Sequence, residues 1–411
     1  FLCQDLGSRG VTLGSLGAVF IMLKSSLGAG LLIFPWAFEK AGGIHSAVIV
    51  EMISLVFLVS GLVILGYSCS VSGQNTYQAV VRDVCGPAIG NLCEICYVFN
   101  LFFISVAFLV IVADQLQKLC VSIYELITGL PESEMPYYWY TDQRFALFLL
   151  CLFFIFPLSV SKEISIQKYT SVLGTFAATY LTVAIIVKYH KRPVHEINLD
   201  RAFKFHHKLF PCHEACIAVY SSMENRKLSH WVFISVVSMF ICLIIYSLTG
   251  VFGYLTFGKN VTPDILMSYS GGDVSMIIAR LLFGISIITI YPIIVLLGRS
   301  VIQDPLLRRR HKHTAVTGSY ESRMRVALTT AWVTITLLIA VFVPDISKVI
   351  GVVGGIGAFF IFIFPGNCAC LLLMYFTRYL LITWGMITLF CGTYIFGQST
   401  SIAIMQLLSE I

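Results

Sequence analysis

Lys24-Ser25-Ser26-Leu27-Gly28-Ala29-Gly30 places a cation, two hydroxyls and two glycines inside an apolar run from about Ser15 to Phe38. A run of roughly 20 residues is what a membrane-spanning helix requires. Interrupted backbone at bilayer depth is tolerated only where it is buried in protein or lines a cavity. A break here would leave free N–H groups on the outer half-helix and free C=O groups on the inner one. The N–H end, aided by the helix dipole, suits a carboxylate, and the C=O end suits a cation. An amino acid carries both charges, so this polarity favours a zwitterion over a sugar or a lipid. Ser25, Ser26, Leu27, Gly28, Ala29 and Gly30 are therefore candidate substrate contacts. The same glycines would equally serve close packing between helices. Lys24 weighs towards function, because a charge within the membrane is functional by default. Its ammonium would occupy, or compete for, a cation position beside the break; the alternative is that it snorkels to the inner interface.

Ser286 and Thr289 lie three residues apart, one turn before Pro292, and share a helix face. Their hydroxyls are candidate oxygen ligands for a small hard cation, or they bond to their own backbone one turn back. The intramembrane acids give weaker signals: Glu51 and Glu94 read as interfacial, and Asp114 with Gln115 reads as the cap of the third span. Arg280 reads as interfacial too. His206, His207, His213 and Glu214 cluster without the H-E-x-x-H spacing of a metal site, so no metal, cofactor or catalytic set is expected. No P-loop is present to support ATP-driven pumping. The glycine-rich stretch from Gly351 to Gly366 reads as a packing face or a hinge.

These residues must be positioned by membrane helices. The 411-residue chain is 58% hydrophobic and 12% charged, against roughly 25% charged in soluble domains. An all-α polytopic membrane protein follows, with the lipid bilayer as its surroundings. Its net charge of +6 sits between apolar runs, which suits loops at a cytoplasmic surface and not a nucleic-acid site. Most of the 13 cysteines, such as Cys93, Cys242 and Cys368, lie in apolar stretches as small buried hydrophobes. Their odd number implies no disulfide framework. The chain begins with Phe1, so residues before it are expected to be missing.

Spans are expected near 15–38, 44–70, 91–120, 145–161, 167–189, 231–255, 276–299, 326–343, 347–374 and 379–405, with a short one at 209–223. If the short segment crosses, the basic run Arg308-Arg309-Arg310 falls on the side of Arg82, Lys168 and Arg226 and fixes it as cytoplasmic, together with the N-terminus. The sequon Asn260-Val261-Thr262 then lies outside, where glycosylation occurs. Five spans over about 15–190 and five over about 205–374, each set opening with an interrupted segment, suggest an inverted repeat with its site between the halves. The last span stands outside that repeat, and the whole of 1–411 reads as one transmembrane domain.

Leu27-Gly28-Ala29-Gly30-Leu31-Leu32, Phe34-Pro35-Trp36-Ala37-Phe38 and Ala41-Gly42-Gly43 resemble the first span of the sodium-coupled neutral amino acid transporters, systems A and N. Gln167-Lys168-Tyr169, Tyr254-Leu255-Thr256-Phe257-Gly258, Val343-Pro344-Asp345 and Phe396-Gly397-Gln398-Ser399-Thr400 extend the resemblance over nearly the whole chain. The resemblance implies eleven spans with a five-plus-five inverted repeat of the bacterial leucine transporter type plus one extra helix. It implies import of small amino acids such as glutamine and alanine, coupled to sodium, at the plasma membrane. Substrate contacts carry over to the backbone of Ser26 through Gly30, and sodium ligands to that break and to Ser286 and Thr289.

Two departures bear on function. Most of the family has asparagine where this chain has Lys24, so an oxygen ligand is replaced by a fixed cation. In addition, Phe210-Pro211 runs directly into Cys212-His213-Glu214, where the family has an apolar, aromatic-rich stretch. About two turns of the sixth span, roughly seven residues, are missing on that comparison. The chain is expected to be a secondary active transporter; the alternative is a membrane receptor or sensor that binds an amino acid with little flux.

Overall fold

The computed structural model describes residues 14–28, 30–129, 142–160, 167–191, 213–311, 318–343, 346–374 and 379–408. Among them the chain is helical and contains no strand. The first apolar run forms α1 (Ser15–Leu27) and α2 (Gly30–Lys40), whose axes differ by 52°. Then come α3 (Ile44–Ser72), α4 (Tyr77–Cys85), α5 (Pro87–Thr128), α6 (Gln143–Val160) and α7 (Gln167–Lys191). The second half holds α8 (His213–Ser222), α9 (Leu228–Phe257), α10 (Val274–His311) and α11 (Gly318–Phe342). It closes with α12 (Ile346–Ala358), α13 (Phe364–Met374) and α14 (Tyr379–Leu408).

Among the described residues eight helices are long and apolar enough to cross a membrane, and nine if the bent pair α1–α2 is one span. Phe153 and Phe390, 64% and 76% exposed, are among many large apolar side chains on the outer surface. Exposure on that scale is untenable in water and ordinary against lipid. The protein is a polytopic membrane protein, as its composition requires.

Local chemistry sets the boundaries. Thr76 accepts the Ala79 amide at the start of α4, and Asp142 accepts the Arg144 amide at the start of α6. Gly73 and Gly129 end α3 and α5 in the left-handed region, at φ 65° and 70°, where a side chain would be strained. α5 runs 42 residues, about 63 Å at 1.5 Å per residue. That is twice the hydrocarbon thickness, so the expected end near 120 is corrected, and Asp114 lies within the helix and does not cap it.

Wide π turns interrupt two spans, at Cys151–Ile155 and Phe359–Ile363. A proline follows each, Pro157 and Pro365. Proline lacks an N–H and crowds the carbonyl four residues back. The wider turn accommodates it, and the amides of Phe156 and Phe364 reach back five residues to Cys151 and Phe359.

α8 is ten residues long, about 15 Å, half of a membrane core. The remainder of the expected short span, residues 209–212, lies outside the described residues. In the stretch from Gly351 to Gly366, Gly355 and Gly366 serve close packing, while open space adjoins Gly351 and Gly354. A Cβ on Gly366 would lie 2.8 Å from the Thr388 hydroxyl, and one on Gly355 would lie 3.3 Å from Cβ of Ser399.

Candidate functional site

The break between α1 and α2 turns at Gly28, with φ −48° and ψ −140°, and Ala29 lies outside the described residues. A Cβ added to Gly28 would meet nothing within 4 Å, so open space adjoins the turn. The Leu31 amide bonds to the Gly28 carbonyl at 3.3 Å, opening α2. Ser26, Leu27 and Gly30 are buried and Ser25 is exposed. The Ser26 hydroxyl donates to the Met22 carbonyl at 2.9 Å, within its own helix. That leaves its backbone carbonyl as the group presented at the break, and the Tyr246 hydroxyl of α9 donates to it. The Tyr246 ring lies 4.3 Å from that of Phe34 in α2, so one side chain touches both halves of the broken span.

Next to Tyr246, Ser247 donates to Glu51 Oε2 at 2.6 Å. Glu51 Oε1 is buried without a hydrogen-bond partner among the described residues. Glu51 thus joins α3 to α9.

Lys24 is half-buried on α1, and its stem runs towards α7. A Cβ on Gly174 of α7 would sit 3.5 Å from Lys24 Cγ and 3.3 Å from the Ser286 hydroxyl of α10. Gly174 therefore marks a junction where α1, α7 and α10 bring Lys24 and Ser286 together. Thr289 donates to the Ser286 carbonyl at 2.8 Å, a bond that leaves the lone pairs of its own oxygen available. Ser286 is at the junction, 4% exposed.

A second polar group gathers at the start of α8. His213 is buried with Nε2 3.0 Å from the Leu58 carbonyl, and a Cβ on Gly61 would come within 2.7 Å of that nitrogen. The Asn100 side-chain amide of α5 donates to Glu214. Arg280, near the start of α10, is 0% exposed. Its Nη2 lies 3.0 Å from the carbonyls of Leu266 and Tyr269 and 3.2 Å from that of Ser270. Gln115 donates to Asp264 Oδ2 at 2.6 Å, and the Leu266 amide to Oδ1 at 2.9 Å. Burial pushes the Asp264 carboxyl up to about 7, against the lowering pull of that amide, Arg280 and Gln115. The loop between α9 and α10 is thus clamped to α5 and α10, and Asn260 stands exposed at its start.

A family profile described as "Transmembrane amino acid transporter protein" matches residues 12–405. The chain belongs to this family. It is 57% identical to "Putative sodium-coupled neutral amino acid transporter 8" of Xenopus tropicalis, over 97% of the chain and 95% of that protein. It is 49% identical to "Solute carrier family 38 member 8" of Homo sapiens, over 98% of the chain and 99% of that protein. "Sodium-coupled neutral amino acid transporter 7" of Danio rerio is 40% identical, over 98% and 90%. Membership makes the chain an amino acid transporter and not an enzyme.

For such a transporter, Tyr246 and Gly174 were silent in the sequence, and the partner of Glu51 was not legible there. Tyr246 lies in an apolar run that gives no hint of a polar partner. Its one signal is the neighbouring Ser247, a second polar group at the same depth. Gly174 has no side chain to attract notice, and Glu51 lies near enough to the start of α3 to pass for interfacial.

Proposed function

We propose that this chain is a single-domain secondary active transporter that imports small neutral amino acids, glutamine and alanine among them, by alternating access. The observation that carries this is the break at Gly28, with open space beside it and the Ser26 carbonyl turned towards α9. The substrate carboxylate meets the first amides of α2, where the helix dipole is favourable. The ammonium meets the carbonyls that end α1. A carbonyl has two lone pairs, so the Ser26 oxygen accepts from the substrate while Tyr246 still donates. Eleven spans with a five-plus-five inverted repeat provide the frame, with the N-terminus cytoplasmic, the protein in the plasma membrane and Asn260 glycosylated.

Sodium is the coupling ion named in the relatives' descriptions, and we assign its place to the junction of α1, α7 and α10. Ser286 supplies an oxygen there, and the Lys24 ammonium supplies a resident positive charge that competes with the ion. The aligned length against the human relative is 437 positions, more than the 411 of the chain. That relative therefore carries residues without counterpart here, in keeping with a shortened sixth span.

Radiolabelled glutamine uptake into proteoliposomes, with and without an inward sodium gradient, tests this. Sodium-stimulated accumulation supports the symporter. Saturable glutamine binding without accumulation favours the sensor, the reading that Lys24 and the shortened sixth span of the sequence suggest.

A further inference from the structure

Cys85, the last residue of α4, has its sulfur 3.6 Å from that of Cys368 in α13. The two positions are 283 residues apart. Cys368 is fully buried, whereas Cys85 is half-buried and open to small solutes. The contact does not stand alone. At the other end of α4 the Tyr77 hydroxyl donates to the Phe360 carbonyl at 3.1 Å. The Tyr77 ring meets Phe360 and Phe364 edge-on at 5.4 and 6.2 Å. α4 is thus fastened at both ends to the π turn and to α13, from its place between α3 and α5 in the first half of the chain.

The thiols differ in a way that matters for reactivity. The contact with Cys368 lowers the pKa of the Cys85 thiol from its ordinary value. A partly exposed thiol with a buried thiol in contact is the arrangement of an attacking and a resolving cysteine. A disulfide requires a sulfur separation of about 2.05 Å. Oxidation must therefore bring the sulfurs about 1.5 Å closer than the 3.6 Å at which they stand.

We propose that Cys85 and Cys368 form a reversible thiol–disulfide pair, oxidised by hydrogen peroxide, that staples α4 to α13. The Cys85 sulfur attacks one peroxide oxygen, the O–O bond breaks, and hydroxide leaves to become water, giving a sulfenic acid. The Cys368 sulfur then attacks the Cys85 sulfur, the S–O bond breaks, and the second hydroxide takes the Cys368 proton. Two thiols and one peroxide become one disulfide and two waters, each sulfur losing one electron. In a reducing compartment such a bond is transient and signals oxidant exposure. Its effect on uptake rests on the alternating-access reading: a bond joining the two halves of the chain holds the seam between α4 and α13 shut.

The test uses the full chain in proteoliposomes, treated with hydrogen peroxide, blocked with N-ethylmaleimide and digested without reductant. Mass spectrometry is expected to find a peptide joining Cys85 to Cys368 that dithiothreitol separates. Glutamine uptake is expected to fall with the appearance of that peptide and to return on reduction. In Cys85→Ser, which alters a half-buried helix end, uptake is expected to persist and to ignore peroxide. Absence of the linked peptide, linkage of Cys368 to Cys93 or Cys370 instead, or equal peroxide sensitivity in Cys85→Ser would overturn the proposal. The linked peptide is read without transport, so failure of uptake in untreated protein would count against the transport reading and leave the cysteine pair on its own evidence.

Discussion

The Tyr246 hydroxyl donates to the carbonyl oxygen of Ser26 across 220 residues of sequence. It satisfies one of the carbonyls that α1 leaves without an intrahelical partner where the helix stops. Tyr246→Phe keeps the ring against Phe34 and removes only the donor. An unsatisfied buried carbonyl costs about 1–3 kcal/mol, so the break should lose its fixed geometry. We expect a rise of roughly tenfold in KM for glutamine uptake, the equivalent of about 1.4 kcal/mol. An unchanged KM would place this bond outside the substrate site.

Lys24→Asn exchanges a fixed positive charge for an amide oxygen beside Ser286. Sodium activation of uptake is expected to strengthen, read as a lower half-saturating sodium concentration. Unaltered sodium activation would show that Lys24 does not compete for the ion position.

Arg280 holds three carbonyls of the loop between α9 and α10 from a fully buried position. Arg280→Met keeps the stem and deletes the donors. Removing hydrogen bonds made by a buried charged group costs on the order of 2–4 kcal/mol. The loss should appear as a clear drop in Tm in detergent, together with faster amide exchange over residues 264–271.

Asp264 gives that clamp a pH dependence. Burial pushes its carboxyl up to about 7 in the folded protein from an ordinary value of 3.8, so the folded state holds the proton more tightly than the unfolded one. The stabilisation is fully present below the ordinary value and is lost as pH rises through about 7. The size is on the order of 2–4 kcal/mol for a shift of this kind. Tm should fall between pH 5 and 8, and Asp264→Asn should flatten that slope; an equal slope in the variant would assign it to another group.

Much of this was legible in the sequence, for identifiable reasons. The break at Gly28 is visible because two glycines and two serines stand out in an apolar run, and the bend appears where they are. Ser286 was visible as a hydroxyl before a proline. The backbone bond of Thr289 was one of two alternatives, because a hydroxyl's choice of hydrogen-bond partner depends on rotamer, which spacing does not encode. The partners of Arg280 and Glu51 were not legible for a common reason. Each lies near the start of its helix, and distance along a chain does not reveal how far a neighbouring loop or helix reaches over it. Gln115 belongs with them, since its partner Asp264 lies 149 residues away. Ala29 and residues 209–212, which carried two of the sequence expectations, lie outside the described residues.

The π turn at Phe359–Ile363 also changes how length variation in this protein should be understood. Each α-helical residue advances the chain by about 100°, and a π turn amounts to one inserted residue. Its presence sets the azimuth of everything after it, including Phe364 against Tyr77 and Cys368 against Cys85. A one-residue deletion there would therefore act as a rotation, turning α13 about its axis by more than a quarter of a circle while barely shortening it.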